Sequence, residues 1–300
     1  MTRRVLVTGA GGYVGRQTLA PLASLGFEIH GVARRAFDLP PCRCHVADAL
    51  DAAAMSRVIA TVRPTHLLHL AWTTEHGKFW DDPANPAWRD ATLALLREFA
   101  GAGGRRFVTA GSCAEYSWEG TGPLSEARTP LRPAAPYGQA KLETFQAAQA
   151  FSAEGGVSFA HGRLFFSYGP YEQRQRVVPS IILPLLASAP ARLTDGRQQR
   201  DFVDVRDVGR CLAALLASEV EGAVNIASGS PVAIAEIARM LAEIVGRPDL
   251  IQLGALPARA DDPPSIVADV GRLTGEVNVS AEIRLEAGLA DAVRWWRARG

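Results

Sequence analysis

Tyr137 and Lys141 stand four residues apart in PYGQAK, a run that reads as the start of a helix, so both side chains share one face. An ammonium beside a phenol stabilises the phenolate and lowers its pKa. A tyrosine so placed exchanges a proton with a carbonyl or an alcohol near neutral pH. One strand–helix unit earlier, the run RRFVTAGS ends in Gly111-Ser112-Cys113, and the Ser112 hydroxyl can bond the same reacting oxygen. Tyr-x-x-x-Lys alone is common on helices; its order after this serine gives it meaning.

A second chemical feature lies at the first strand–helix junction. Gly9-Ala10-Gly11-Gly12-Tyr13-Val14-Gly15 separates RVLVTGA from RQTLAPLASLG. Glycines allow a tight turn and close approach to a pyrophosphate, and the following helix turns free amides toward that anion. The spacing Gly9-x-x-Gly12-x-x-Gly15 differs from the commoner G-x-G-x-x-G. The next strand, FEIHGVA, ends in Ala33-Arg34-Arg35. An acid there would hold the ribose 2′-hydroxyl of NAD, whereas arginine suits the 2′-phosphate of NADP. NADP is therefore favoured over NAD, the alternative being two solvated surface arginines. Asp48, beside Ala49 after the third strand, is placed to accept a bond from adenine or, equally, to cap a helix. Leu70 and Ala71, closing the strand THLLHLA, complete the expected cofactor-binding set with Tyr137 and Lys141.

The elements that must carry these residues alternate. Helical patterns in DALDAAAMSRVIATVR, DATLALLREFAGAGG and PYGQAKLETFQAAQAFSAEGG separate the strand-like runs THLLHLA, RRFVTAGS and VSFAHGRLFF. Such alternation predicts an α/β fold with a doubly wound parallel sheet and right-handed crossovers. The second half is less regular and richer in proline, with the short runs ARLTDG and RDFVDV and two later helices, PVAIAEIARMLAEIVG and LEAGLADAVRWWRARG. Residues 1–165 are expected to form the dinucleotide domain, with 201–228 returning to it. Residues 166–300 are expected to form mainly a smaller mixed α/β substrate lobe.

Composition narrows the classes. The 300 residues are 48% hydrophobic and 21% charged, ordinary for a globular core. A net charge of +1 argues against nucleic acid and anionic membrane as partners. The apolar run in MTRRVLVTGA is broken at Gly9 and reads as a strand rather than a signal peptide, and IILPLLASAP is interrupted by two prolines. A cytoplasmic location is the expectation. Cys42, Cys44, Cys113 and Cys211 have no zinc spacing and read as free thiols, so no metal site is expected.

TGAGGYVG, HLAW, AGSCAEY, YGQAK, RLFFSYGP, QQRDFVDVRDV and VNIASG follow one another from Thr8 to Gly229. In this order they resemble the extended short-chain dehydrogenase/reductase family, the NAD-dependent epimerase/dehydratase group acting on nucleoside-diphosphate sugars. The resemblance implies a Rossmann-type fold and a catalytic triad of Ser112, Tyr137 and Lys141. Tyr137 would be the general acid/base, and Lys141 would also hold the nicotinamide ribose. Arg163 and the Tyr168-Gly169-Pro170 turn would lead into the substrate lobe. Arg200 would contact the sugar-nucleotide phosphates, and Arg259 with Asp262 would close over the nucleotide. Family members often form homodimers through a four-helix bundle, for which ALLREFA and KLETFQAAQAF could serve.

Three departures refine this expectation. Dehydratases of the group carry Asp-Glu directly after the hydroxyl residue; here these positions are Cys113, a candidate substrate contact, and Ala114. Without the carboxyls, 4,6-dehydration is not expected. Glu115, one place on, would point elsewhere on an extended strand. Trp88 stands where many members have asparagine, and Phe166 replaces the asparagine of R-x-x-N. The insert Trp72–Trp80 follows the fourth strand at the ligand edge, where its aromatics stack on a base or sugar or pack over the nicotinamide pocket. Thr73 and His76 are its candidate substrate contacts. The expected reaction is NADPH-dependent reduction of a nucleoside-diphosphate 4-keto-6-deoxy sugar. Alternatives are a sugar-nucleotide 4-epimerase, a reductase of a small carbonyl compound, and a catalytically silent NADP-binding regulator.

Overall fold

A computed structural model of the protein describes residues 3–120, 122–258 and 261–299. The apolar run at the N-terminus forms β1 (Arg4–Thr8), buried along most of its length, and the left-handed Gly9, at φ +69°, turns the chain out of the sheet. Then come α1 (Gly15–Ser24), β2 (Glu28–Ala33), β3 (Arg43–Val46), α2 (Ala52–Val62), β4 (His66–His69), α3 (Asn85–Gly101), β5 (Arg106–Ser112), α4 (Pro136–Ala153) and β6 (Ser158–Leu164). The second half supplies β7 (Phe166–Tyr168), α5 (Val177–Leu186), β8 (Ala191–Arg192), β9 (Gln199–Asp204), α6 (Val205–Ala217) and β10 (Gly222–Ile226). It closes with β11 (Pro231–Ala233), α7 (Ile234–Val245), β12 (Ile251–Gln252), β13 (Ser265–Ile266), α8 (Gly271–Gly275) and α9 (Leu285–Arg297).

Seven strands form one parallel sheet in the order β10-β6-β5-β4-β1-β2-β3. The winding reverses between β1 and β4, which opens a crevice at the carboxyl ends of these strands. Apolar side chains fill both faces: α1 and α6 pack on one, and α2, α3 and α4 on the other. A smaller sheet sets β9 between β11, antiparallel, and β13, parallel, with β7 also pairing β9. A separate apolar cluster from α5, α7 and α9 backs it. No helix among the described residues is long and apolar enough to cross a membrane.

Three boundaries differ from the hydrophobic pattern. Asp51 caps α2 by accepting the Ala54 amide at 3.0 Å, so the helix begins later than its apolar run. The helix α3 begins at Asn85, ahead of the DATLALL pattern, because Pro86 fits its first turn. VSFAHGRLFF divides at Phe165: β6 stays in the large sheet while β7 crosses to the small one. IILPLL lies in α5, with Pro184 inside the helix.

Candidate functional site

At the crevice, the glycine turn is fixed by its own backbone. The Gly12 amide donates to Gly9 O at 2.9 Å, and a Cβ at Gly15 would stand 2.1 Å from the same oxygen. Arg16 donates back to Gly11 O at 2.8 Å and stacks on the Tyr171 ring at 3.7 Å. Val14 is the N-cap residue of α1. The Tyr13 side chain runs toward Ser167, Glu172 and Arg176; burial foremost raises its phenol's pKa. The Leu70 and Ala71 amides both donate to the Thr8 hydroxyl, at 3.1 and 3.2 Å, tying together the ends of β4 and β1. Such a side-chain-free cradle at the start of α1 fits a dinucleotide pyrophosphate. Arg34 and Arg35 extend exposed beyond β2, without an ion pair to any described residue. Asp48 does not cap α2: its carboxylate accepts the Leu50 amide at 3.0 Å in a tight turn, with Ala49 buried beside it.

The centre of the site joins the end of β5 to the first turn of α4. Pro136 opens that helix and Tyr137 follows, 8% exposed, with the Ser112 hydroxyl, which accepts the Ala114 amide at 3.2 Å, among the groups that act on its phenol. Burial pushes the phenol above its usual range, against the pull of Ser112 and Arg176. Lys141 shares a helix face with Tyr137, as the four-residue spacing suggested, but its amine is engaged by other neighbours. Its Nζ donates to Ala110 O at 2.8 Å and lies 3.6 Å from the Trp72 ring centroid, but 5.8 Å from the Tyr137 ring. Burial lowers its ammonium to about 7, opposed by Glu115. Arg176 is the cation among the groups that act on the Tyr137 phenol, and its pull is small beside that of burial.

Behind Ser112 lies a buried charge network. The residues after β5 form a 3₁₀ turn rather than an extended strand, which carries the fully buried Glu115 inward. Its carboxylate accepts the Ser112 amide at 2.8 Å, His161 Nε2 at 2.9 Å and Arg163 Nε at 2.7 Å. Burial alone would raise this carboxyl, but His161 and Arg163 outweigh it and hold it at about 2. Arg163 thus belongs to this network near the end of β6, just before the chain crosses into β7, and also donates to the Tyr116 hydroxyl at 3.0 Å.

In front of Tyr137 stands a wall of rings. Phe79, Trp80 and Trp72 approach the phenol edge-on, with centroids 4.8, 5.8 and 6.3 Å away. The loop that carries them is pinned at several points. Asn85 accepts from Trp72 Nε1 at 2.9 Å and donates to Phe79 O at 2.9 Å. Thr73 Oγ1 accepts from Trp88 Nε1 at 2.8 Å, so this hydroxyl anchors the loop. Gln173 accepts the His76 amide and donates to Thr74 O, both at 2.8 Å. The His76 ring is exposed; partial burial and then Arg176 lower its pKa.

On the far side, Arg200 is only 5% exposed on β9. It pairs with Asp262, donates to Pro263 O at 2.9 Å and covers the Phe166 ring at 5.6 Å. Phe166, in the place of the expected asparagine, therefore packs under this guanidinium. Asp262 is the partner of Arg200; Arg259 lies outside the described residues. Cys113 is buried between Ser112 and Arg200, and burial pushes its thiol up to about 12. Sequence reasoning missed Asn85, Glu172, Gln173 and Arg176, which lie apart from the motifs; only Asn85-Pro86, as a helix start, carried a local signal. No cluster of three or more His, Cys, Asp or Glu suited to a metal ion occurs among the described residues.

Residues 5–227 match the model of the NAD dependent epimerase/dehydratase family, and the chain belongs to that family. It is 33% identical over 135 residues to a dTDP-4-dehydro-6-deoxy-D-allose reductase of a Streptomyces species, a match covering 43% of this chain and 40% of that relative. Thus less than half of that relative's length is matched. Similarity to a UDP-glucose 4-epimerase of Rhizobium leguminosarum bv. trifolii is 26% but spans 88% of each protein. The solved structure of MoeE5 in complex with UDP-glucuronic acid and NAD superposes with a TM-score of 0.85, at 31% identity, over 99% of this chain and 100% of that one.

Proposed function

We propose that the protein is an NADP-dependent oxidoreductase that reduces the 4-keto group of a nucleoside-diphosphate 4-keto-6-deoxy sugar. The observation that carries the reading is the buried Ser112–Tyr137 hydroxyl pair at the carboxyl end of the parallel sheet. Gly9, Gly12, Tyr13, Val14 and Gly15 would hold the pyrophosphate, Arg34 and Arg35 the 2′-phosphate, and Asp48 with Ala49 the adenine. Leu70, Ala71, Tyr137 and Lys141 would line the nicotinamide ribose. When bound, the cofactor supplies hydride to the keto carbon. Tyr137 donates its proton to the developing alkoxide, and Ser112 stabilises that oxygen by a hydrogen bond. Arg200, paired with Asp262, would contact the substrate together with Cys113, a diphosphate exchanging with the Asp262 carboxylate. Cys113 and Ala114 supply no carboxyl for elimination.

A 4-epimerase uses the same residues, and the end-to-end similarity to a UDP-glucose 4-epimerase favours it as the second reading. The test is cofactor consumption, NADPH and NADH in parallel, against a panel of nucleoside-diphosphate 4-keto-6-deoxyhexoses. NADPH oxidation supports the reductase. No oxidation, with altered stereochemistry in recovered nucleoside-diphosphate hexoses, supports the epimerase. A preference for NADH overturns the role given to Arg34 and Arg35.

A further inference from the structure

Lys141 has an unusual set of neighbours for a buried amine. Facing it are the Ala110 carbonyl from β5, Tyr137 from its own helix, His69 from β4, His161 from β6 and Glu115 from the turn after β5. His69 is held neutral: burial, then Lys141, drives its ring down to about 3, and its two nitrogens bond to the Thr8 and Thr92 hydroxyls at 2.8 and 2.9 Å. Burial likewise lowers His161. Glu115, the one carboxylate in the set, is already engaged by Ser112, His161 and Arg163. No described carboxylate makes an ion pair with the ammonium. What meets it instead is the face of Trp72, 3.6 Å away.

That indole is not a loose covering. Its N–H is held by the fully buried Asn85, which also ties down the Phe79 carbonyl. It also stacks with Trp88, at 6.0 Å between centroids and 26° between planes, and Trp88 is itself fixed to Thr73. Tryptophan is the aromatic side chain that attracts a cation most strongly, the more so away from water. We propose that Trp72 is the positioning residue of Lys141, its clamped indole face favouring the ammonium form and holding the amine between that ring and the Ala110 carbonyl. The proposal rests on Lys141 being a working group of the proposed reaction, and it assigns the Trp72–Trp80 insert a task beyond covering Tyr137.

The chain makes this measurable, because Lys78 and Lys141 are its only lysines. Lys78 is exposed on the loop and paired with Glu75 at 2.6 Å, and Lys78→Arg assigns the two signals. In protein labelled with ¹⁵N-lysine, the Nζ shift of Lys141 is followed against pH in wild type, Trp72→Leu and Trp72→Phe. The expected midpoint in Trp72→Leu falls by roughly half to one and a half pH units. Trp72→Phe, which keeps a ring face, falls less, and the pH profile of kcat moves with the amine. Should Trp72→Leu fail to fold, Asn85→Ala, which frees the indole, must lower the midpoint in the same direction. An unchanged or raised midpoint, or equal falls in Leu and Phe variants, overturns the proposal. The titration needs no substrate: a shifted amine in a protein that turns over no sugar nucleotide would sink the proposed function alone.

Discussion

Beneath Ser112 the site is built from charge, and in front of Tyr137 it is built from rings. Glu115, His161 and Arg163 are almost wholly buried and exchange short hydrogen bonds, one of them to the Ser112 amide itself. The wall of Trp72, Phe79 and Trp80 touches Tyr137 only by ring edges and hangs from a partly exposed loop. A buried ion pair loses heavily when one partner goes, so it holds one geometry. Edge contacts between rings contribute only about 0.5–1.5 kcal/mol each. The floor therefore holds Ser112 in one geometry, whereas the wall rests on weaker ring contacts and on the hydrogen bonds that pin its loop. Both use side chains that no phosphate-binding or Tyr-x-x-x-Lys motif contains.

The sharpest break in this comparison comes from the floor. Glu115→Ala strands Arg163 in the core and is expected to cost about 3–5 kcal/mol in urea unfolding. Acid acts on the same group. The Glu115 carboxyl titrates lower folded, at about 2, than unfolded, so its contribution is complete above the unfolded value near 4.5 and is lost as pH falls toward 2. Glu115→Gln should flatten that acid limb. If it leaves the limb unchanged, the network is not what fixes Ser112.

Arg34 and Arg35 belong to neither region and check that the cofactor edge is separate. Replacing both with alanine is expected to raise the KM for NADPH about 10- to 100-fold while sparing NADH, the size of lost charge-assisted bonds. Equal losses with both cofactors would remove the 2′-phosphate contact.

Lys141 sits where floor and wall meet. Its amine is depressed to about 7 by burial, so the folded state binds fewer protons than the unfolded chain between about 7 and 10.5. The cost of burying it is full below pH 7 and fades as pH rises toward 10.5. Lys141→Met is therefore expected to abolish turnover yet stabilise the fold by about 1–2 kcal/mol at pH 6, and by less at pH 10. A destabilised variant at pH 6 would mean that the Trp72 face outweighs burial.

The smallest effect should come from the wall. Gln173→Ala removes two hydrogen bonds to the loop, worth about 0.5–1.5 kcal/mol each. Hydrogen exchange in residues 74–80 should accelerate while the urea midpoint stays nearly fixed. A global loss of stability would show that loop and core are one cooperative unit.

Much of the large sheet was legible because its strands are short apolar runs between turn residues and its motifs fall at strand ends. The glycine turn and the Tyr137–Ser112 pairing follow from that placement. The small sheet was less legible: β8, β12 and β13 are two residues long, too short to show alternation. The helix α5 was hidden by prolines that read as breaks. The partners of Lys141 and Glu115 were not legible, since spacing along a helix says which residues share a face, not which neighbour a flexible amine selects. Glu115 was misplaced because an extended strand was assumed where a 3₁₀ turn inverts the direction. Asp262 finds Arg200 across 62 residues, a pairing that no local pattern announces.

The most direct test is Tyr137→Phe beside wild type, with NADPH binding measured by titration and NADPH oxidation measured with a nucleoside-diphosphate 4-keto-6-deoxyhexose that wild type reduces. Loss of the phenolic proton should lower turnover about 10²- to 10⁴-fold while cofactor affinity stays within about threefold. Turnover that survives intact in Tyr137→Phe would contradict the assignment of Tyr137 as the acid and, with it, the account of the floor and wall that hold it.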